Sequence, residues 1–135
     1  EFVEKLCEWA DSSEDNPMIL FKGHPVNPES MEPLFQIISN YKNVAYVTEM
    51  PISEGITKAE ATYIINSGTG QEAMLHDASV VAFGRCDYQG AVIPGKINDL
   101  DFTYDEVKHD DKEARKSLYR KWYKWYLELT VDSNE

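Results

Sequence analysis

A Ser/Gly-rich turn is the clearest candidate for chemistry in this sequence. Ser67, Gly68, Thr69 and Gly70 follow an apolar run and precede a predicted helix. A helix start presents backbone N–H groups and a partial positive charge, and glycines let the backbone approach an anion closely. The turn is therefore a candidate phosphate site. The alternative is an ordinary capped turn, in which Thr69 is the N-cap and Glu72 completes a capping box.

A second candidate turn carries a histidine at the end of the first predicted strand. His24 can donate hydrogen bonds to phosphate or carboxylate oxygens and can carry a positive charge near neutral pH. Pro25 restricts His24 to an extended backbone, and Lys22 lies two residues earlier on the same face of the strand. The alternative is a loop histidine without a binding role.

Short apolar runs alternate along the chain with amphipathic segments, which predicts an α/β protein. We predict strands over residues 18–22, 43–47, 61–65 and 79–83. We predict helices over residues 2–10, 28–40, 71–76 and 110–130, a turn or single helical turn over 53–57, and a loop-rich region over 84–105.

This alternation favours right-handed crossovers and a parallel sheet covered by helices on both faces, as in a Rossmann-like domain. Ligands bind such sheets at the carboxyl ends of the strands. Both candidate turns follow predicted strands. We therefore expect them to lie on nearby strand ends and to hold one anionic ligand together.

Composition indicates one domain over residues 1–135, with 42% hydrophobic and 27% charged residues. The net charge of −11 argues against nucleic-acid binding, which needs a surplus of Lys and Arg. Cys7 and Cys86 lie far apart and predict free thiols in a reducing cytoplasm. The histidines show no metal-binding spacing, so we expect no metal site.

The terminal segment predicts an amphipathic helix with an apolar face of Leu118, Trp122, Trp125 and Leu129. Tyr119, Tyr123 and Tyr126 widen this face, and the basic side chains Lys116, Arg120, Lys121 and Lys124 gather opposite it. Such a helix suits packing against another domain, because aromatic side chains favour interfaces. Peripheral association with a membrane surface is the alternative.

Three segments in order resemble the bacterial capsule polysaccharide synthesis family. They are Phe21–Pro25, Asn66–Leu75 and Val80–Gly84, within a span from Met18 to Tyr88 that covers about half the chain. The family includes retaining transferases of 3-deoxy-manno-octulosonic acid (Kdo) that use CMP-β-Kdo as the donor.

The resemblance implies the C-terminal Rossmann-like lobe of a GT-B glycosyltransferase that builds a capsule or lipopolysaccharide glycan. It implies that the donor phosphate is held by His24 and Ser67 with backbone N–H groups of Gly68, Thr69 and Gly70. Pro25 and Lys22 support the first turn, and Glu72 binds ribose or caps its helix.

The same resemblance places the catalytic carboxylate and the glycan or glycolipid acceptor site in a preceding N-terminal lobe. Asp11 and Asp15 are poor candidates for the catalytic acid because they lie in a polar turn. We expect a CMP-sugar donor as substrate, no tightly bound cofactor and no metal. We expect a cytoplasmic location with access to the inner face of the inner membrane, and a terminal helix that packs back on the preceding lobe.

Other functions stay open, among them other GT-B nucleotide-sugar enzymes such as sialyl and glycerol-phosphate transferases. UDP-N-acetylglucosamine 2-epimerases share the GT-B architecture and similar turns, although they carry a glycine and an acidic residue where this chain has Thr69 and Ala73. They would bind UDP and not CMP. A non-catalytic acidic interaction module, such as a nucleic-acid mimic, would use the negative charge instead, but it has no need of anion-binding turns.

Overall fold

The computed structural model describes residues 2–22, 32–47, 50–65 and 68–133. Within these ranges, helices and parallel strands alternate along most of the chain. The helices are α1 Phe2–Ser12, α2 Glu32–Ile38, α3 Ile52–Lys58, α4 Thr69–Leu75, α5 Leu100–His109 and α6 Lys112–Ser133. The strands are β1 Ile19–Lys22, β2 Val44–Val47, β3 Thr62–Ile64, β4 Val80–Ala82 and β5 Ile93–Pro94.

All strand pairs in these ranges are parallel, which confirms the predicted α/β class. The strands form two small sheets, however, where the sequence predicted one. Strand β1 pairs with β2, with Ile19 opposite Val44, and β3, β4 and β5 form a three-stranded sheet in that order. Such parallel strands with connecting helices are compatible with a Rossmann-like lobe.

The core centres on β4, whose three residues are all buried. Side chains alternate between the faces of a strand, so Val80 and Ala82 point to one side and Val81 to the other. On the first side they join a cluster that includes Met74 of α4 and Trp122 of α6. On the second side, Val81 packs with Ile93 and with Val107 of α5. The three-stranded sheet is thus covered on both faces.

The two-stranded sheet is less enclosed. None of the described side chains of β1 and β2 is buried, and Leu20 is exposed. Phe35 of α2 packs edge-on against Tyr46 of β2, with ring centroids 4.9 Å apart. This sheet therefore lies at the periphery of the described core.

The region predicted as loop-rich over 84–105 also contains strand β5 and the start of α5, which the sequence analysis did not predict. Helix α5 begins after Asp99, whose side chain accepts a hydrogen bond from Phe102 N at 3.1 Å as an N-cap. Asp110 ends α5 in an extended conformation, and α6 starts two residues later. The segment 53–57 also forms a longer helix than predicted, α3.

Helix α6 packs on the three-stranded sheet through one side of the broad aromatic face that the sequence predicted. Tyr119 and Trp122 are buried, whereas Leu118 and Trp125 of the predicted apolar face are exposed. The contact face is therefore rotated toward Tyr119 and Tyr123. Within the described ranges, no helix combines the length and the apolar character needed to cross a membrane.

Candidate functional site

The Ser/Gly-rich turn follows β3 and leads directly into α4. Gly68 is at the N-cap position with helical angles of −60° and −18°, and Thr69 is the first helical residue. The helix thus begins one residue earlier than the alternative with Thr69 as the N-cap requires. The N–H groups of Gln71 and Glu72 both donate to the Gly68 carbonyl, at 3.1 and 3.4 Å. Any backbone contact to an anion must therefore come from earlier N–H groups of the turn.

Gly70 is buried because a tyrosine ring packs directly on its Cα. A Cβ built at this position would lie 2.3 Å from Oη and 2.6 Å from Cζ of Tyr88. Tyr88 is only 2% exposed, and its ring packs edge-on against Trp122 with centroids 6.1 Å apart. Only glycine fits at position 70 in this arrangement, so Tyr88 fixes how the first turn of α4 sits on the core.

The Tyr88 hydroxyl is in an apolar setting beside a cysteine. Burial raises the pKa of Tyr88 far above its ordinary value, and the neighbouring Cys86 thiol raises it further. Burial also raises the pKa of Cys86. Both groups stay neutral at physiological pH, so the support beneath Gly70 adds no negative charge that would oppose an anion.

Helix α6 holds α4 and the following turn through hydrogen bonds to backbone carbonyls. Tyr123 Oη donates to the Gln71 carbonyl at 2.5 Å, and Tyr119 Oη donates to the Ala78 carbonyl at 2.7 Å. Between these contacts, Asp77 adopts a left-handed conformation with φ of 56°, which ends α4 and turns the chain into β4. Two tyrosines therefore hold the first turn of α4: the Tyr88 ring packs against Gly70, and Tyr123 of α6 donates a hydrogen bond to Gln71.

The other predicted donor-binding residues are placed only in part. His24, Pro25 and Ser67 lie outside the described residues. Lys22 is the last residue of β1, and its backbone pairs with Val47 of β2. Because β1 and β3 belong to different sheets, no shared ladder brings the two turns together. Their proximity stays a prediction.

Glu72 lies in the first turn of α4 and is partly exposed. This position is compatible with a ligand contact. Asp15, a weak candidate for the catalytic acid, forms an ion pair with Lys108 at 3.1 Å. No cluster of three potential metal-ligating side chains occurs in the part of the chain that the structure describes.

An open groove of about 400 Å³ lies elsewhere, between α1 and the start of α5, and none of the predicted donor-binding residues lines it. Its polar groups are largely paired with each other. Trp9 Nε1 donates to Asp101 at 2.8 Å, and Lys5 Nζ donates to Asn98 at 3.2 Å. These pairs connect α1 to α5.

Sequence reasoning missed Tyr88 and treated Tyr123 only as part of an apolar face. Tyr88 lies in an irregular segment where no periodicity marks a buried residue. The phenol hydroxyl of Tyr123 could have indicated a hydrogen bond to another element, since a buried tyrosine hydroxyl usually has a hydrogen-bond partner.

The fold and the turn define an α/β protein with a glycine-containing turn between a parallel strand and a helix. A family model for capsule polysaccharide biosynthesis proteins matches residues 2–129, almost the whole chain. The chain therefore belongs to the capsule polysaccharide biosynthesis family, and the resemblance noted from three segments is confirmed at that level. Membership indicates a role like that of a glycosyltransferase. No curated protein and no solved structure matches the chain.

Proposed function

We propose that this chain is the donor-binding lobe of a glycosyltransferase that transfers Kdo from CMP-Kdo to a growing capsule or lipopolysaccharide glycan. The match to the capsule polysaccharide biosynthesis family over residues 2–129 is the observation that carries the proposal. The position of α4 after a parallel strand supports it, because such strand ends are the usual ligand positions in α/β proteins, and Tyr88 and Tyr123 hold the first turn of this helix.

In this proposal the turn before α4 binds the phosphate of the donor. Backbone N–H groups of Gly68, Thr69 and Gly70 and the Ser67 hydroxyl donate to its oxygens, and His24 and Lys22 add positive charge. As the bond to the sugar breaks, negative charge grows on the departing CMP, and fixed donors stabilise it. Glu72 contacts the ribose. The proposal requires neither a protein-bound metal nor a tightly bound cofactor.

The catalytic carboxylate and the acceptor site come from a preceding lobe. The resemblance to GT-B transferases supports this division, because their catalytic acid is expected before the His-Pro turn, in the other lobe. The glycan or glycolipid acceptor would then approach across the gap between the two lobes. His24→Ala in the enzyme containing both lobes should reduce turnover and weaken donor binding, and wild-type activity would refute the role of His24.

Nucleotide binding by the chain itself is the direct test. We would titrate it with CMP and with UDP by calorimetry and repeat both titrations with Ser67→Ala. Loss of one hydrogen bond to a charged phosphate should weaken CMP binding about tenfold or more. Ser117→Ala, an exposed position on α6, is the matched control and should bind CMP as the wild type does.

The outcomes separate the candidate functions. Saturable CMP binding that weakens in Ser67→Ala but not in Ser117→Ala supports the CMP-sugar transferase. A preference for UDP would favour an epimerase or a UDP-sugar transferase instead. Binding to a basic nucleic-acid-handling protein, with affinity for neither nucleotide, would favour the acidic interaction module.

A further inference from the structure

Helix α6 contacts the end of the candidate phosphate turn directly through Tyr123. The hydroxyl of Tyr123 donates to the Gln71 carbonyl at 2.5 Å, and Gln71 directly follows Gly70 of the turn. Burial raises the pKa of Tyr123, so the phenol stays protonated and remains a donor at physiological pH. The position of the turn relative to α6 therefore depends on a hydrogen bond between residues that are far apart in the chain.

Trp122, the neighbour of Tyr123, reaches the same turn through the loop after β4. Its Nε1 donates to the Asp87 carbonyl at 3.0 Å, and its ring packs edge-on against Tyr88. The Tyr88 ring lies so close to Gly70 that no larger residue fits there. Two consecutive residues of α6 thus hold the first turn of α4, one by direct contact and one through the Tyr88 ring.

Tyr119 makes a contact of the same kind at the opposite end of α4. Its hydroxyl donates to the Ala78 carbonyl at 2.7 Å, beyond the end of α4 at Leu75. Tyr119 lies about one helical turn before Tyr123 and is also shielded from solvent. Loss of either hydroxyl removes one hydrogen bond from α6 to a backbone carbonyl, but only the bond of Tyr123 adjoins the candidate phosphate turn. The two tyrosines therefore separate an effect on the turn from an effect on stability.

We propose that Tyr123 is a positioning residue for donor binding, which holds the turn in the conformation that receives the donor phosphate and makes no contact with the donor itself. Trp122 has the same role through Tyr88. Hydrogen-bond donors that are already fixed bind an oxyanion more tightly than donors that must first be ordered, because ordering lowers the net binding free energy. This inference rests on the proposed function, which supplies the phosphate as the ligand of the turn.

Calorimetric titration with CMP tests the role of Tyr123 in the whole chain. Tyr123→Phe keeps the ring and removes the hydroxyl, and it should weaken CMP binding about fivefold, the factor that corresponds to one neutral hydrogen bond. Trp122→Phe should weaken it in the same direction, because the hydrogen bond to the loop is lost. Tyr119→Phe is the matched control, and it should bind CMP as the wild type does. Thermal denaturation should show a similar loss of stability in Tyr119→Phe and Tyr123→Phe.

Nuclear magnetic resonance of the nucleotide-free chain gives a second measurement that does not depend on the ligand. The backbone amide signals of Gly68 and Gly70 report the conformation of the turn. Tyr123→Phe should shift these signals, and Tyr119→Phe should leave them in place.

The outcomes separate this inference from the proposed function. Unchanged glycine signals in Tyr123→Phe would overturn the inference, and so would equal loss of CMP affinity in Tyr119→Phe and Tyr123→Phe. Wild-type CMP affinity in Tyr123→Phe would overturn it as well. A chain that binds no CMP, but whose glycine signals respond to Tyr123→Phe alone, would refute the proposed function and support control of the turn by α6.

Discussion

Substitution of Gly70 by alanine tests whether Tyr88 sets the conformation of the candidate phosphate turn. The added Cβ would lie 2.3, 2.6 and 2.7 Å from three atoms of the Tyr88 ring, where ordinary contact begins near 3.4 Å. The ring must therefore move by about 1 Å, yet it is enclosed by the core and by Trp122. Overpacking of this kind costs about 1–3 kcal/mol.

A better helix propensity offsets part of that cost. Alanine is favoured over glycine inside helices by up to about 1 kcal/mol, and position 70 is the second residue of α4. We therefore expect Gly70→Ala to lower the free energy of unfolding by about 1–2 kcal/mol. In a domain of this size, the thermal midpoint should fall by roughly 3–8 °C. Thermal and urea denaturation followed by circular dichroism measure both quantities.

Gly55→Ala is the matched control, because a Cβ there would meet only Met50 Sδ at an ordinary 3.6 Å. This substitution in α3 should be neutral or stabilising. A double-mutant cycle with Tyr88→Leu isolates the contact, since the smaller side chain removes the ring atoms that the added Cβ would strike. The reasoning is refuted if Gly70→Ala is as stable as the wild type, or if its cost is the same when Tyr88 is replaced by leucine.

Two further predictions concern buried polar groups. Asp110→Asn should lower the free energy of unfolding by about 2 kcal/mol, because both carboxylate oxygens of Asp110 accept hydrogen bonds from Arg115 in a largely buried ion pair. Urea denaturation measures this loss. As the control, Asp15→Asn in the exposed ion pair with Lys108 should lower the free energy of unfolding by less than about 1 kcal/mol. Burial raises the pKa of Tyr63 and of Tyr119 to about 12. The pKa of each tyrosine in the folded protein exceeds its unfolded value near 10. Their contribution to the free energy of unfolding is therefore complete below pH 10 and is lost as the pH rises to 12. Titration of tyrosinate absorbance should show at least three late-ionising groups, since burial also raises the pKa of Tyr88, and simultaneous ionisation of all tyrosines in the folded protein would contradict this.

The strands could be predicted where burial imposes a continuous apolar run. Residues 79–83 show such a run and contain β4, the most buried strand. Pairing between strands could not be predicted, because three- and four-residue strands carry little information about their neighbours. Strand β5 has only two residues, Ile93–Pro94. It is recognised as a strand only through its parallel pairing with β4, which the sequence pattern does not show.

Periodicity predicted α6 as a helix with a broad apolar and aromatic face, but only one side of that face makes the contact with the core. Apolar and aromatic residues cover about half of its circumference, so the pattern has no single sharp centre. The side chains of α6 that face the core are those whose hydroxyl or indole N–H groups donate hydrogen bonds to backbone carbonyls. Trp122 Nε1 donates to the Asp87 carbonyl at 3.0 Å, and Tyr119 and Tyr123 bind those of Ala78 and Gln71. Trp125 has the same indole group, but it lies on the side of the helix away from these carbonyls.

The candidate phosphate turn cannot by itself select the nucleotide of the donor. Its proposed contacts, from backbone N–H groups and the Ser67 hydroxyl, are made to phosphate oxygens, and CMP and UMP carry the same monophosphate on the same ribose. The turn therefore cannot distinguish these two nucleotides, and discrimination between them must come from residues that meet the base. Ser67→Ala should then weaken the binding of CMP and UMP by the same factor. A loss confined to CMP would show that Ser67 contacts the base, and the phosphate role would have to pass to another residue.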